Sequence, residues 1–397
     1  MPSLPLSHYL DCCATTPVAP AVAEAMAIAQ AEAWANPSSL HGFGLQAAEH
    51  LERSRQAMAD LLGCNRERLV FTSGGSEAIH LALLGAAPEL EHRDGGTSPR
   101  LLISAVEHPA TRAAAAALQR RGWQLQELPV DRTGALDLQA LDRWLTPPTR
   151  LVSLIWGQSE VGTVQDLIAI GRLCQAAGVL LHVDAVQVLG HQPLEMADLP
   201  VDLLSLAAHK IQGPRGVGAL VIREGVSLQP CIGGGGQEGG LRSGTEPVAL
   251  VAGFEAALRL SLRRLQEHGW RDPVVELRDA LMLRLLDLPG VELSGPDPRD
   301  PDHPQRLPHH LSVLVQAADG EWVHGRQLVQ SLWREGFACS SGSACSSASG
   351  GASAVLRAMG YGVGPATAGL RISLGPWHGV ELLDQLPAAL SRARAAL

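Results

Sequence analysis

This 397-residue chain has no block of basic residues. Its 31 lysines and arginines and 40 aspartates and glutamates are scattered, giving a net charge of -9 with histidine neutral. A nucleic-acid face is therefore not expected. No apolar run reaches membrane-spanning length, so no membrane association is expected. The opening stretch MPSLPLSHYLDCC lacks the charged, then apolar, then small-residue succession of a secretory signal. The seven cysteines are odd in number and irregularly spaced, and none forms a CxxC pair. That pattern suggests neither a zinc site nor a disulfide framework, and a reducing compartment, the cytoplasm, is the expectation. No internal repeat of fixed period stands out.

What the chain does have is apolar material, 46% of its residues, and a length that predicts two domains. RLVFT, PRLLISA, RLVSLIW, VLLHVDA, DLLSLAA and VGALVI each read as a short buried strand. Helical patterns lie between several of them, at SEAIHLALLGA, GALDLQALDRWL and QDLIAIGRLCQAAG. Strands alternating with helices predict an α/β layer on a mostly parallel sheet. After Pro247 the pattern changes. Long helices are expected at VALVAGFEAALRLSLRRLQEHGW and DPVVELRDALMLRLLDLPG, then an irregular proline-rich stretch, GPDPRDPDHPQRLP. Strands LSVLV and LRISLG and helices GRQLVQSLWREG and ELLDQLPAALSRARAAL complete a smaller α+β domain.

Three motifs carry chemistry. In FTSGGSEAIHLALLG a strand gives way through glycines to a helix, so Gly74, Gly75 and Ser76 present N–H groups and a hydroxyl suited to a phosphate. Ser76 alone also reads as an ordinary helix cap. Asp184 ends a buried strand, where a carboxylate needs a partner; alone it reads equally as a structural aspartate. Lys210 follows another strand and precedes a forced turn at Gly213-Pro214, at the sheet edge where α/β proteins bind ligands. By itself it is as readily a surface lysine. In that order the three suit pyridoxal 5'-phosphate, with the phosphate in the cradle, Asp184 on the pyridine nitrogen and Lys210 as the Schiff-base lysine. His108, at a further strand end, is placed to stack on the ring or to act as acid or base.

YLDCCATTPV, NPSSLHGFG, FTSGGSEA, VEHPAT, SEVGTVQD, HVDAVQ, AAHKIQGPRGVGAL, GGGQEGGLRSGTEPV, SSGSACSSAS and LRISLG occur in one order. Together they resemble the cysteine desulfurases of the NifS/IscS type, in the class V aminotransferase group, almost from end to end. The resemblance implies fold type I of the pyridoxal-phosphate enzymes: a large domain with a mostly parallel seven-stranded sheet, expected over 15–255, and a small α+β domain from 1–14 and 256–397. It implies a homodimer that takes sulfur from L-cysteine, leaves L-alanine and carries a persulfide to an acceptor protein, such as an iron–sulfur scaffold or a tRNA-thiolation relay. A selenocysteine or cystine lyase, or a weakly active paralogue acting through partners, is the alternative. Lys210 would bind the cofactor, Asp184 its ring nitrogen and Gln187 its phenolic oxygen, with His108 stacked on the ring. Gly75, Ser76 and His209 would hold the phosphate, with Thr245 reaching into the neighbouring subunit's site. Arg371 would clamp the substrate carboxylate, as fork and carboxylate geometry favour.

The same resemblance makes Cys345 the sulfur-accepting nucleophile, on a loop of small residues expected to be mobile. His108 is a candidate to deprotonate it. Cys339 is expected to be packed where a strand enters that loop, the alternative being a second thiol that relays the persulfide. Cys12 and Cys13 are expected to fill small-side-chain positions. Two positions depart from the family: Ser159 stands at the cofactor-contacting position where an asparagine is usual, with Gln158 or a water as the candidates to compensate, and Ala207 where a phosphate-binding serine is usual.

Overall fold

A computed structural model of the chain describes residues 5–91, 98–342 and 351–397. The six expected apolar runs all become strands of one sheet: β1 (Leu69–Thr72), β2 (Arg100–Ser104), β4 (Thr149–Ile155), β5 (Leu180–Asp184), β6 (Leu203–Ala207) and β7 (Gly218–Ile222). The seventh, β3 (Gln124–Leu128), has no apolar run. It lies at the sheet edge and buries only Leu128, so nothing in QLQEL marks it. The order is β1-β7-β6-β5-β4-β2-β3. Only β7 runs against its neighbours; β6, β5, β4, β2 and β3 are parallel.

Alternate residues of these strands enter two different cores, as the period of a pleated strand requires. Val152, Leu154, Leu181 and Val183 pack with Val22, Met58 and Phe254 of α1 (Pro20–Glu32), α2 (Gly42–Leu62) and α7 (Val248–Glu267). Leu101, Ile103 and Leu151 pack on the other face with Ile79 of α3 (Gly75–Glu91) and Leu118 of α4 (Pro109–Arg120). Two shorter helices complete this body: α5 (Leu138–Trp144) and α6 (Leu167–Ala177). Asp137 and Asp166 cap them, each side chain accepting an N–H three residues on.

The smaller unit contains α8 (Val274–Leu286), β8 (Val291–Leu293), β9 (His310–Val315), α9 (Gly325–Arg334), α10 (Ala354–Ala358), α11 (Val363–Thr367), β10 (Gly369–Ser373) and α12 (Leu382–Ala395). Its antiparallel sheet runs β10-β9-β8. Leu281, Val313, Leu328, Ile372 and Leu386 form its core, joined by Leu10 from the N-terminal segment. Tyr9 and Asp11 bridge to Ala338 and Ser373, so that segment starts on the small unit before crossing to the large one. α7 runs unbroken through position 255, and its buried residues pack in the large core. A further cluster, with Val106, Ile155 and Val161 against Leu314, Val355 and Tyr361, joins the two units. No helix among the described residues is long and apolar enough to cross a membrane.

Candidate active site

Because β1, β2, β4, β5 and β6 all point the same way, the loops leaving their carboxyl ends meet at one edge. A cavity of ≈ 430 Å³ lies there, against the small unit. Gly75, Ser76, His108, Ser159, Asp184, Gln187, His209, Lys210 and Arg371 all line it. Of the other two expected site residues, one lies elsewhere and one is not among the described residues. Thr245 is exposed and lines a separate cavity with Met26, Trp34 and Asn36. Cys345, with the loop expected to be mobile, lies outside the described residues.

Lys210 follows β6, and its Nζ donates to the carbonyl oxygens of Cys13, at 2.5 Å, and Ala14, at 2.8 Å. Burial pulls its ammonium down to about 8, and the Arg371 charge pushes the same way. Asp184 ends β5. Its Oδ1 accepts the Val186 N–H at 3.0 Å, and burial raises its carboxyl above the usual range against the pull of His108 and Lys210. Two residues earlier on the same strand, His182 lies between Ser153 and Ser205, at 2.8 and 2.9 Å, tying β4, β5 and β6 sideways. Burial lowers that ring to about 3, so it is neutral.

His108 caps α4. Its Nδ1 accepts the Ala110 N–H at 3.1 Å, so the neutral ring carries its proton on Nε2. Burial, with the Lys210 charge, favours that neutral form. Held so, the ring has no free lone pair with which to take a proton from a thiol. His209 meets Thr15 Oγ1 at 3.2 Å, and burial brings it down to about 4. Gln187 donates from Nε2 to the Cys13 carbonyl at 2.9 Å, while its Oε1 is buried without a hydrogen-bond partner.

At the start of α3 a side chain on Gly75 would place its Cβ 2.7 Å from Val186 Cγ2, so glycine is required for this close approach. Glu77, in the first turn, is occupied by the Ser73 N–H at 2.7 Å and by Arg242 at 2.9 Å. Ala207, fully buried below the cradle, offers only a methyl group. Arg371 comes from β10. Its Nη2 meets Asp11 at 2.7 Å, its Nη1 donates to the Ser159 carbonyl at 3.2 Å, and its buried Nε has no partner.

Gln158 cannot replace the missing asparagine. Its Nε2 is spent on the Val106 carbonyl, and its Oε1 accepts the N–H groups of Glu160 and Val161. It is buried and absent from the cavity wall. Cys339 is buried in the small core, where burial pushes its thiol up, as the packed reading expects. Cys12 and Cys13 are buried too, with Cys13 Sγ 3.4 Å from His309 Nε2. Sequence reasoning missed two acids in the wall, Glu107 and Glu160. Glu107 adjoins His108 in VEHPAT, which was the available signal. Glu160 accepts the Ser353 hydroxyl at 2.6 Å, a contact across 193 positions that no local pattern announces.

The donor set fits a phosphorylated pyridine aldehyde. A helix start and closely packed glycine suit the phosphate. The buried Asp184 lacks the cationic N–H that a protonated ring nitrogen offers. Gln187 keeps an unpaired polar atom, and Lys210 supplies an amine that burial keeps easily deprotonated.

The family model of class-V aminotransferases matches residues 8–386. Among curated proteins, the cysteine desulfurase IscS of Pectobacterium atrosepticum is 38% identical over 384 residues, covering 96% of this chain and 90% of that one. The IscS of Methanosarcina thermophila is 35% identical over 379 residues, covering 95% and 89%. Among solved structures, a NifS-like protein superposes with a TM-score of 0.87 at 32% identity, over 98% of this chain and 99% of that chain. SspA in complex with cysteine gives a TM-score of 0.79 at 29% identity, over 94% and 100%.

Proposed function

The chain belongs to the class-V aminotransferase family, and we infer that it is a pyridoxal-5'-phosphate-dependent cysteine desulfurase, taking sulfur from L-cysteine and releasing L-alanine. The observation that carries this reading is the convergence on one cavity of an amine, a buried carboxylate, a helix-start cradle and a guanidinium. Bound there, the cofactor supplies an electrophilic aldehyde and an electron-withdrawing ring.

The residues divide the remaining work. Gly75, Ser76 and His209 hold the phosphate, Asp184 keeps the ring nitrogen protonated, and Gln187 meets the phenolic oxygen. Lys210 anchors the cofactor and moves the substrate α-proton, a task for which an amine near 8 is suited. Arg371 receives the substrate carboxylate on donors left over from Asp11 and Ser159, its unpaired Nε among them. His108 stacks on the ring as a neutral imidazole. Cys345 accepts the sulfur as a persulfide and passes it to an acceptor protein.

Two copies pair, with Thr245 of each completing the other's phosphate site. Supporting this are the exposure of Thr245 beside Trp34 and the run of apolar side chains Trp34, Leu40 and Phe43, 63%, 92% and 61% exposed. Thiol and persulfide chemistry calls for a reducing compartment, the cytoplasm.

The test is a visible spectrum on adding pyridoxal 5'-phosphate, then sulfide and alanine assays with L-cysteine. A new visible band and stoichiometric alanine are expected. Cys345→Ala keeps the band and loses the persulfide. A protein that stays colourless with saturating cofactor overturns the reading.

A further inference from the structure

Glu107 has no part in the reading above, yet it is 4% exposed in the wall of the same cavity. It sits on the turn between β2 and α4, one residue before His108. Its Oε1 takes two donors, the Ser104 hydroxyl at 2.5 Å and the Ile155 N–H at 2.9 Å. Both contacts lie at strand ends. Ser104 closes β2, and Ile155 closes β4 directly opposite Asp184 in the sheet register. One carboxyl thus spans the gap where the chain leaves the sheet, between the segment that presents His108 and the strand beside Asp184.

Its other oxygen, Oε2, is buried and has no hydrogen-bond partner. The charged and titratable groups around it do not supply one. Arg112, on α4, is spent on Glu127 at 2.7 Å and on the Ala105 carbonyl at 2.6 Å. Lys210 donates to the Cys13 and Ala14 carbonyls, and His108 is neutral. Asp184, on β5, is an acid that repels a second negative charge. An ionised carboxylate there would leave one charged oxygen bare in a low dielectric, which is costly, whereas a carboxylic acid would not.

We propose that Glu107 is a positioning residue working as the neutral acid, pinning the ends of β2 and β4 so that His108 and Asp184 face the cofactor without a second carboxylate charge beside Asp184. Burial, the dominant influence, carries the Glu107 carboxyl up to about 8, with Asp184 adding to it. The role in positioning rests on the cofactor reading; the protonation does not, since it is a property of the protein without cofactor.

Glu107→Gln tests this, because glutamine keeps the acceptor oxygen and replaces the neutral O–H with N–H. A folded state that holds an extra proton loses stability as pH rises above the unfolded glutamate value. The melting temperature of cofactor-free Glu107→Gln is therefore expected to gain on wild type from pH 5 to about 8, and then level. The loaded variant keeps the visible band and kcat/KM within about threefold, whereas Glu107→Ala, which orphans two buried donors, loses roughly tenfold or more. A melting difference that does not change with pH overturns the proposal, as does a loaded Glu107→Gln as impaired as Glu107→Ala. Should Glu107→Ala not fold, the melting series on Glu107→Gln still decides. Wild-type protein that binds no cofactor would sink the desulfurase reading and leave the melting result intact, so the two failures are distinct.

Discussion

Two cations reach the cavity from opposite walls, and the walls treat them differently. Lys210, from the large sheet, meets only carbonyl oxygens, and burial brings it down to about 8. Arg371, from the small sheet, is buried too, at 3% exposure, but Asp11 faces it at 2.7 Å and its charge is kept. An amine can give up its proton when water and counter-charge are withdrawn, whereas a guanidinium cannot and must be paired. That difference fits the roles proposed above, the large-sheet wall moving a proton and the small-sheet wall holding an anion.

Exchanging the properties of these walls should have graded consequences. Lys210→Ala removes the group proposed to move the proton, so activity with L-cysteine should fall by at least about 10²–10⁴-fold, and borohydride should no longer fix the cofactor to the protein. Activity within tenfold of wild type would break the distinction. Arg371→Ala should act on substrate binding, raising KM roughly 10–100-fold as a charge-assisted contact is lost, while the visible band persists. A change confined to kcat would mean that Arg371 does not bind the carboxylate.

The pH dependence sharpens the contrast. Only the neutral amine attacks an aldehyde, so cofactor uptake by the cofactor-free protein should rise with pH, up to about tenfold per unit, and level above about 8. A flat rate between pH 6.5 and 9.5, measured as growth of the visible band, would contradict the environment described for Lys210. Asp11→Asn should have the smallest effect, a few-fold rise in KM, because asparagine still accepts from Arg371 and only the charge is lost. An effect as large as that of Arg371→Ala would show that Asp11 does more than orient the guanidinium.

The parts that were legible in the sequence were those that obey short-range rules. Six buried strands are apolar runs, and all six occupy the sheet; β3, a polar edge strand, carries no such mark. Gly75, Asp184 and Lys210 could be singled out because each lies at or within three positions of the carboxyl end of a readable strand. Gln158 was the opposite case. Its residue type suggested a stand-in for the missing asparagine, but the fold had already engaged both its amide nitrogen, with Val106, and its amide oxygen, with Glu160 and Val161. Glu107 was visible as a residue and silent as a function, because its significance lies in one bonded oxygen and one bare one.

The sequence alone determined the alternation of strand and helix, the order of the motifs and the chemistry each side chain can offer, since these depend on residues near one another along the chain. The tertiary structure decided which of those side chains meet, which are already paired and which are stripped of water. Those outcomes come from contacts such as Arg371 with Asp11, 360 positions apart, and from the low dielectric created only when both units close around the cavity.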